Sequence, residues 1–243
     1  MCTLTYCLTE SGYELFFNRD EQRSRAQALP PSIDNHLNSI YPIDPIGQGT
    51  WLAVHQSGLS LALLNFYQAE KKAAIGDFNS RGEIILFLLK HADNVLEVIK
   101  TMPLSDYQPF QLCVFLPDVS LKNNNMVSFQ WDGINLKEVK TTLPITSSGV
   151  DYENVYKARK IAFKQIVEKE NPSTEALVNY HQWQQENGTL SVKMSREDAH
   201  TVSFSHIIVN NRDASSKNKN EISFKYSDYL NDQQDISVMK IVH

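Results

Sequence analysis

The sequence lacks long apolar runs, and the longest one, Ile84–Leu89, has six residues. A membrane-spanning helix needs about 20 apolar residues, so we predict no membrane span. The N-terminus also lacks a basic region followed by an apolar core, which argues against a secretory signal. We therefore expect a cytoplasmic protein that forms a single domain over residues 1–243.

Positive charge and cysteine are also scarce. The chain has 23 Lys and Arg against 28 Asp and Glu, a net charge of −5, which provides no attraction to nucleic acid or anionic membranes. Three cysteines are too few for a disulfide framework and are typical of a reducing compartment. The histidines show no metal-ligand spacing, and no glycine-rich phosphate loop is present. We therefore predict neither a metal ion nor a cofactor.

What the sequence does contain is a regular order of strand and helix patterns. Strands are predicted at 2–8, 13–17, 50–55, 59–66, 110–116, 126–131, 201–210, 221–226 and 236–242, with one or two more within 134–146. Helices are predicted at 81–90, 93–101, 151–170 and, capped by Ser173, to about 187. The polar segment 22–50 is predicted to be a long ordered loop. This order predicts an α+β fold, a four-layer αββα sandwich of two antiparallel sheets flanked by helix pairs.

The first two strands form a predicted hairpin that places Cys2 beside a polar cluster. A turn at Glu10–Gly12 would put Cys2 opposite Asp20, and a two-residue turn is expected to put it opposite Glu21. Either register brings Asn18–Glu21 next to Cys2.

A cysteine at this position has a specific chemical use. Removal of Met1 would leave a thiol and an α-amine on one residue, and the amine has a pKa of about 7.7–8.0, so it can accept the thiol proton. The adjacent Arg19 would favour the thiolate form of Cys2. Asp20 or Glu21 could orient that arginine or hydrogen-bond the amine. The sequence therefore indicates Cys2 as a candidate nucleophile that needs no catalytic histidine.

Short motifs occur in a set order along nearly the whole chain. They are Met1–Leu4, Phe17–Glu21, Gly47–Leu52, Leu63–Asn65, Asn79–Glu83, Thr146–Gly149 and Asp198–Ser203. In this order they resemble the NRDE family, also called the transport-and-Golgi-organisation 2 family. More distantly, the chain is similar to cysteine N-terminal-nucleophile (Ntn) hydrolases of the penicillin V acylase and bile salt hydrolase group, which also begin Met-Cys-Thr.

The distant resemblance implies an αββα sandwich and roles for particular residues. Cys2 matches the nucleophile of that group, and Arg19 matches an arginine that contacts the nucleophile's sulfur. Asn65 matches an asparagine that helps to form the oxyanion hole. Arg159 matches a further active-site arginine, and Asp20 is the carboxylate nearest to Arg19 in sequence.

Two departures from that group leave two functions open. Gln22 stands where those hydrolases have an aspartate, and Ser147 lies where they have a second oxyanion asparagine. The first hypothesis is a cysteine hydrolase of a non-peptide carbon–nitrogen (amide) or acyl bond. The alternative is a catalytically inactive protein of the same fold that binds an apolar ligand, such as haem or an acyl lipid. The expected partner is thus a small amide, acyl or haem-like molecule.

Overall fold

The computed structural model describes residues 2–69, 78–169, 172–211 and 220–242. Within them the strands are β1 (Cys2–Thr9), β2 (Gly12–Gln22), β3 (Leu29–Asp34), β4 (Ser39–Ile43), β5 (Leu52–His55), β6 (Ser60–Asn65), β7 (Phe110–Phe115), β8 (Met126–Trp131), β9 (Leu136–Glu138), β10 (Ile145–Ser147), β11 (Ala199–Asn210), β12 (Glu221–Asp228) and β13 (Gln233–Lys240). The helices are α1 (Gly82–Leu89), α2 (Val95–Thr101), α3 (Tyr152–Phe163) and α4 (Thr174–Gln182). A 3₁₀ turn, Ala92–Asn94, precedes α2, and a π-helical turn, Lys164–Glu168, extends α3.

The strands form two antiparallel sheets that pack face to face. One has the order β10-β1-β2-β11-β12-β13 and the other the order β3-β4-β5-β6-β7-β8-β9. Alternate side chains of each strand point into the space between the sheets, because successive residues of a strand face opposite sides. Leu4, Phe17 and Ile207 of the first sheet and Val54 and Phe115 of the second are fully buried in this shared core.

Helices cover the outer face of each sheet. Helices α1 and α2 bury Ile84 and Val95 against the second sheet, where Leu61 is part of the same cluster. Helices α3 and α4 bury Ala162 and Tyr180 against the first sheet. The result is the predicted α+β arrangement of four layers, αββα, and the prediction is confirmed. Among the described residues, no helix is long and apolar enough to cross a membrane.

The segment 22–50 differs from its prediction as a loop, because it contains strands β3 and β4. Ile40 and Tyr41 of β4 are buried against neighbouring strands, which stabilises an extended backbone there. The sequence did not predict β3 because this strand contains Pro30 and Pro31, and proline cannot donate a ladder hydrogen bond. It is nevertheless tolerated in an edge strand, and β3 lies at the edge of its sheet.

Helix α4 begins where predicted and ends five residues early. The Ser173 side chain accepts a hydrogen bond from the Ala176 amide at 3.1 Å, as expected of a cap. At the other end, the His181 carbonyl accepts from the Asn18 side chain at 2.9 Å. In a continuing helix the His181 carbonyl would accept from the Gln185 amide, but that amide donates instead to Ser191 Oγ at 2.7 Å. Side chains from distant strands and loops therefore replace the next helical hydrogen bond.

Candidate active site

A cavity of about 1070 Å³ lies beside the N-terminal end of β1. Cys2 lines it together with Gln108 and with residues from four segments, within 19–25 of β2 and its continuation, 44–51 after β4, 63–67 at the end of β6 and 78–83 at the start of α1. Many of the lining side chains are charged or amide-bearing. The candidate nucleophile thus lies in the wall of a large and mainly polar cavity.

The position of Cys2 is set by pairing on both sides of β1. It lies opposite Arg19 of β2 and Ser147 of β10, so the expected pairing with Asp20 or Glu21 is wrong. The reason is Gly12, which belongs to β2 and not to the turn. A Cβ at Gly12 would lie 2.0 Å from the Val209 carbonyl oxygen, so only glycine allows β11 to approach so closely.

Strand alternation divides the polar cluster of β2 between two faces. Asn18 and Asp20 point toward the helices, where they contact α4 and α3 respectively. Arg19 and Glu21 point to the opposite face and line the cavity. The neighbours in sequence therefore have different surroundings, and only Arg19 and Glu21 present side chains on the side of the sheet that carries the Cys2 thiol.

Arg19 is held in place by two carboxylates and an aromatic ring. Its guanidinium lies 2.8 Å from Asp44 and 3.0 Å from Glu21, and it stacks 4.2 Å from the centre of the Trp51 ring. Arg25 also contacts Asp44, at 2.9 Å. Sequence reasoning missed Asp44, because it follows β4 and reaches Arg19 only when the two sheets pack together.

The environment of the thiol favours its protonated form. Burial raises the pKa of Cys2, and the Asp20 charge acts in the same direction. The Arg19 charge and a hydrogen bond from the Asp20 backbone amide lower this pKa, but their effect is smaller. A nucleophilic reaction at Cys2 would therefore need a base close to the sulfur.

The backbone nitrogen of Cys2 is also fixed. It donates a hydrogen bond to Ser147 Oγ at 3.0 Å, and Ser147 is itself buried. Ser147 therefore contacts the nitrogen of the candidate nucleophile.

Asp20 and Arg159 meet behind the sheet. Their side chains approach to 3.3 Å, and Arg159 also donates to the hydroxyls of Thr3 and Thr146 at 2.6 and 2.7 Å. Thr201 donates to the other oxygen of the Asp20 carboxylate at 2.6 Å. Of the predicted site residues, Cys2, Arg19 and Asn65 present side chains at the cavity, whereas Arg159 and the Asp20 carboxylate lie on the helix-facing side.

Asn65 contacts a residue that sequence reasoning missed. Its side-chain amide donates to the Tyr67 hydroxyl at 2.6 Å, and both residues line the cavity. Burial raises the pKa of Tyr67, which therefore remains a neutral phenol. Strand alternation could not have predicted this contact, because β6 ends at Asn65 and Tyr67 lies in the turn that follows. In the part of the chain that the structure describes, no cluster of three His, Cys, Asp or Glu is arranged to hold a metal ion.

A buried histidine links β1, β2 and α4. Asn18 donates to two backbone carbonyls, so its oxygen accepts from His181 Nδ1 at 3.0 Å. His181 Nε2 then accepts from the Thr5 hydroxyl at 2.8 Å. These bonds require the neutral ring, and burial lowers the pKa of His181 to about 3.

This neutral histidine predicts acid sensitivity. Because its pKa is lower in the folded chain than in the unfolded chain (about 6.5), the unfolded state binds more protons below pH 6.5. We expect His181 to lower the free energy of unfolding by up to about 1.4 kcal/mol per pH unit between about pH 6 and 4. Chemical denaturation of native protein and His181→Gln across this range measures the two slopes. Equal slopes would contradict the assignment.

Comparisons with known proteins agree with this fold. The family model described as Transport and Golgi organisation 2 matches residues 1–214, which confirms the resemblance inferred from the motifs. A search of curated proteins finds no match. Among solved structures, a Caenorhabditis elegans orthologue of N-acylethanolamine-hydrolyzing acid amidase has a TM-score of 0.54 at 11% identity, covering 88% of this chain and 95% of its own. A mutant conjugated bile acid hydrolase from Clostridium perfringens has a TM-score of 0.53 at 12% identity, covering 98% and 92%. These similarities show the Ntn-hydrolase fold.

Proposed function

We propose that this chain, which belongs to the Transport and Golgi organisation 2 family, is a hydrolase that uses Cys2 to cleave a non-peptide amide or acyl bond. One observation carries the proposal: β1 holds both the sulfur and the nitrogen of Cys2 at the wall of the cavity. Both solved relatives are named as hydrolases, one of N-acylethanolamines and one of conjugated bile acids, which supports the same class of reaction.

The proposed reaction begins with removal of Met1, which converts the nitrogen of Cys2 into an α-amine. This amine takes the thiol proton while the sulfur bonds to the substrate carbonyl carbon. The tetrahedral intermediate then releases the substrate amine, which receives that proton, and leaves a thioester on Cys2. Water hydrolyses the thioester to a carboxylic acid and restores the thiol. A base is needed because burial keeps the thiol protonated, and the amine is the base nearest to the sulfur.

Two groups are suited to stabilise the negative oxygen of the intermediate. The Asn65 side chain lines the cavity, and its amide is oriented by the Tyr67 hydroxyl. The Asp20 backbone amide hydrogen-bonds the sulfur and lies next to the point of attack. Donors held in place in this way stabilise a developing oxyanion by about 3–4 kcal/mol each. Arg19 would oppose the raised pKa of the thiol.

The alternative of an apolar-ligand carrier has less support. Haem and acyl chains bind in pockets with mainly apolar walls. Here the walls carry the Arg19 and Glu21 charges, the Arg25 and Asp44 charges and the Asn65 amide. A small amide with polar substituents fits such a lining better than a hydrocarbon or a porphyrin.

The requirement for a free α-amine can be tested with two forms of the protein. In one, cleavage of a removable leader leaves Cys2 as the first residue; in the other, the leader stays attached. Intact mass establishes each N-terminus, and amine release from N-acyl amides of several chain lengths measures turnover. We expect the leader-bearing form to be at least about 100-fold slower, because it lacks the base. Equal rates in both forms would exclude the amine as base.

A further inference from the structure

Arg81 is a cavity cation that the proposed reaction does not use. It belongs to the Asn79–Glu83 motif, directly precedes α1 and lines the same cavity as Cys2. Its guanidinium makes one hydrogen bond among the described residues, to the Pro109 carbonyl at 3.0 Å. It makes no ion pair with any residue that the structure describes. A guanidinium has five N–H donors, so most of those on Arg81 are available to a ligand.

The other two arginines of the cavity are already neutralised. Arg19 lies within 3.0 Å of both Glu21 and Asp44, and Arg25 lies 2.9 Å from Asp44. These four charges cancel one another at one side of the cavity. The remaining carboxylate of the wall that faces no arginine is Glu83, whose side chain is exposed. Arg81 is therefore the cation best placed to attract a negative group of a ligand.

Arg81 is close to the reacting groups. Burial lowers the pKa of Arg81, and the negative forms of Tyr67 and Cys2, followed by the Glu21 carboxylate, act in the opposite direction. Burial of a guanidinium without a paired anion is unfavourable, and an anionic ligand would offset that penalty. Such a ligand would thus lie beside the thiol and the Tyr67 hydroxyl.

The backbone around Arg81 is held rigidly. A Cβ at Gly82 would lie 2.7 Å from the Thr50 nitrogen, and one at Gly49 would lie 2.4 Å from the Gly82 carbonyl carbon. The Thr50 amide donates to the Gly82 carbonyl at 3.2 Å. The two glycines therefore let this turn pack directly on the loop after β4. That contact gives Arg81 a defined position, as a recognition residue needs.

We propose that Arg81 binds a carboxylate of the substrate, so that the preferred substrates are amides that carry a carboxylate near the scissile bond. This inference rests on the proposed function, whose site it shares. The planar guanidinium matches a carboxylate through two parallel hydrogen bonds, which gives orientation as well as affinity. Arg81 would act as a substrate-binding residue that places the carbonyl carbon beside the Cys2 sulfur.

Two matched pairs of ligands test the inference. Hexanoylglycine and hexanoylglycinamide differ in a carboxylate on the amine side, and N-hexylsuccinamic acid and N-hexylsuccinamide differ in one on the acyl side. Calorimetry on Cys2→Ala protein measures binding without turnover. We expect the acid of at least one pair to bind about 10- to 100-fold more tightly than its amide. Arg81→Gln should remove this difference while leaving the affinity for the neutral amide within about threefold.

Two further variants separate recognition from general charge effects. Arg81→Lys keeps the charge but not the two parallel hydrogen bonds, so it should retain part of the preference. Glu83→Gln removes an exposed charge from the same wall and should change the preference by less than about threefold. If no acid binds better than its amide, or if Arg81→Gln keeps the preference, the inference is wrong.

Turnover measured with native protein distinguishes the two proposals. An acid could bind selectively in a way that depends on Arg81 while none of the four compounds releases an amine. That result would support the role of Arg81 and count against hydrolysis. Hydrolysis of both members of each pair at equal rates, with equal affinities, would support hydrolysis and overturn the role of Arg81.

Discussion

Replacing Cys2 with alanine is expected to lower kcat/KM for an N-acyl amide by at least about 10³-fold. The substitution removes the atom that would bond to the carbonyl carbon, while the α-amine, the Asn65 side chain and the Arg19 cluster stay in place. The side chain is small and lies at the end of β1, so the fold should be unaffected. Amine release under saturating and subsaturating substrate measures the change, and circular dichroism verifies the fold.

Cys7 is the matched control for this experiment. It lies on the same strand, but it packs toward α3 and α4, and burial raises the pKa of its thiol to about 12. Cys7→Ala should therefore keep activity within about twofold of native protein. Cys2→Ser, which retains a weaker nucleophile at the same position, should fall between native and alanine protein. Activity of Cys2→Ala equal to that of native protein would show that Cys2 is not the nucleophile.

The second large effect is expected at the buried ion pair. Asp20→Asn should lower the free energy of unfolding by about 3–5 kcal/mol, because it leaves the Arg159 charge buried without a counterion. Arg159 is 1% exposed, and its guanidinium otherwise donates to the hydroxyls of Thr3 and Thr146 and to the Ser191 carbonyl. The Tyr180 hydroxyl donates to the Arg159 carbonyl. None of these partners carries a negative charge. Urea denaturation followed by tryptophan fluorescence measures the change.

A surface pair of the same residue types provides the comparison. Arg196 and Asp198 lie 3.0 Å apart, but the Asp198 side chain is 63% exposed. Asp198→Asn should therefore change stability by less than about 1 kcal/mol. The double variant Asp20→Leu with Arg159→Met should be more stable than Asp20→Asn, since it leaves no unpaired buried charge. If Asp20→Asn loses less than about 1 kcal/mol, the pair does not stabilise the fold.

The same variants bear on catalysis. If Asp20 and Arg159 act only through the fold, the activity per folded molecule of Asp20→Asn should stay close to that of native protein. A fall in kcat at unchanged stability would instead indicate that the carboxylate positions the backbone amide of Asp20, which hydrogen-bonds the Cys2 sulfur.

Local patterns sufficed to place Cys2 beside the cluster in β2. A hairpin pairs residues that are close in sequence, so the proximity of Cys2 to Asn18–Glu21 follows from two strands and a short turn. The register did not follow, because Gly12 pairs with β11, which lies almost 200 residues later in the chain. Local sequence predicts that a glycine near a turn belongs to the turn, because it does not show the distant strand that the glycine contacts.

The sequence by itself determined the αββα layers, the position of Cys2 at the start of β1 and its proximity to Arg19. These features depend on periodicity and on contacts between near neighbours. Only the tertiary structure decided which side chains share the cavity. Strand alternation turns Asp20 toward α3, where it meets Arg159, while packing of the two sheets brings Asp44 to Arg19 and the turn before α1 brings Arg81 to Cys2. Such contacts depend on how distant surfaces pack against each other, and no local pattern encodes that.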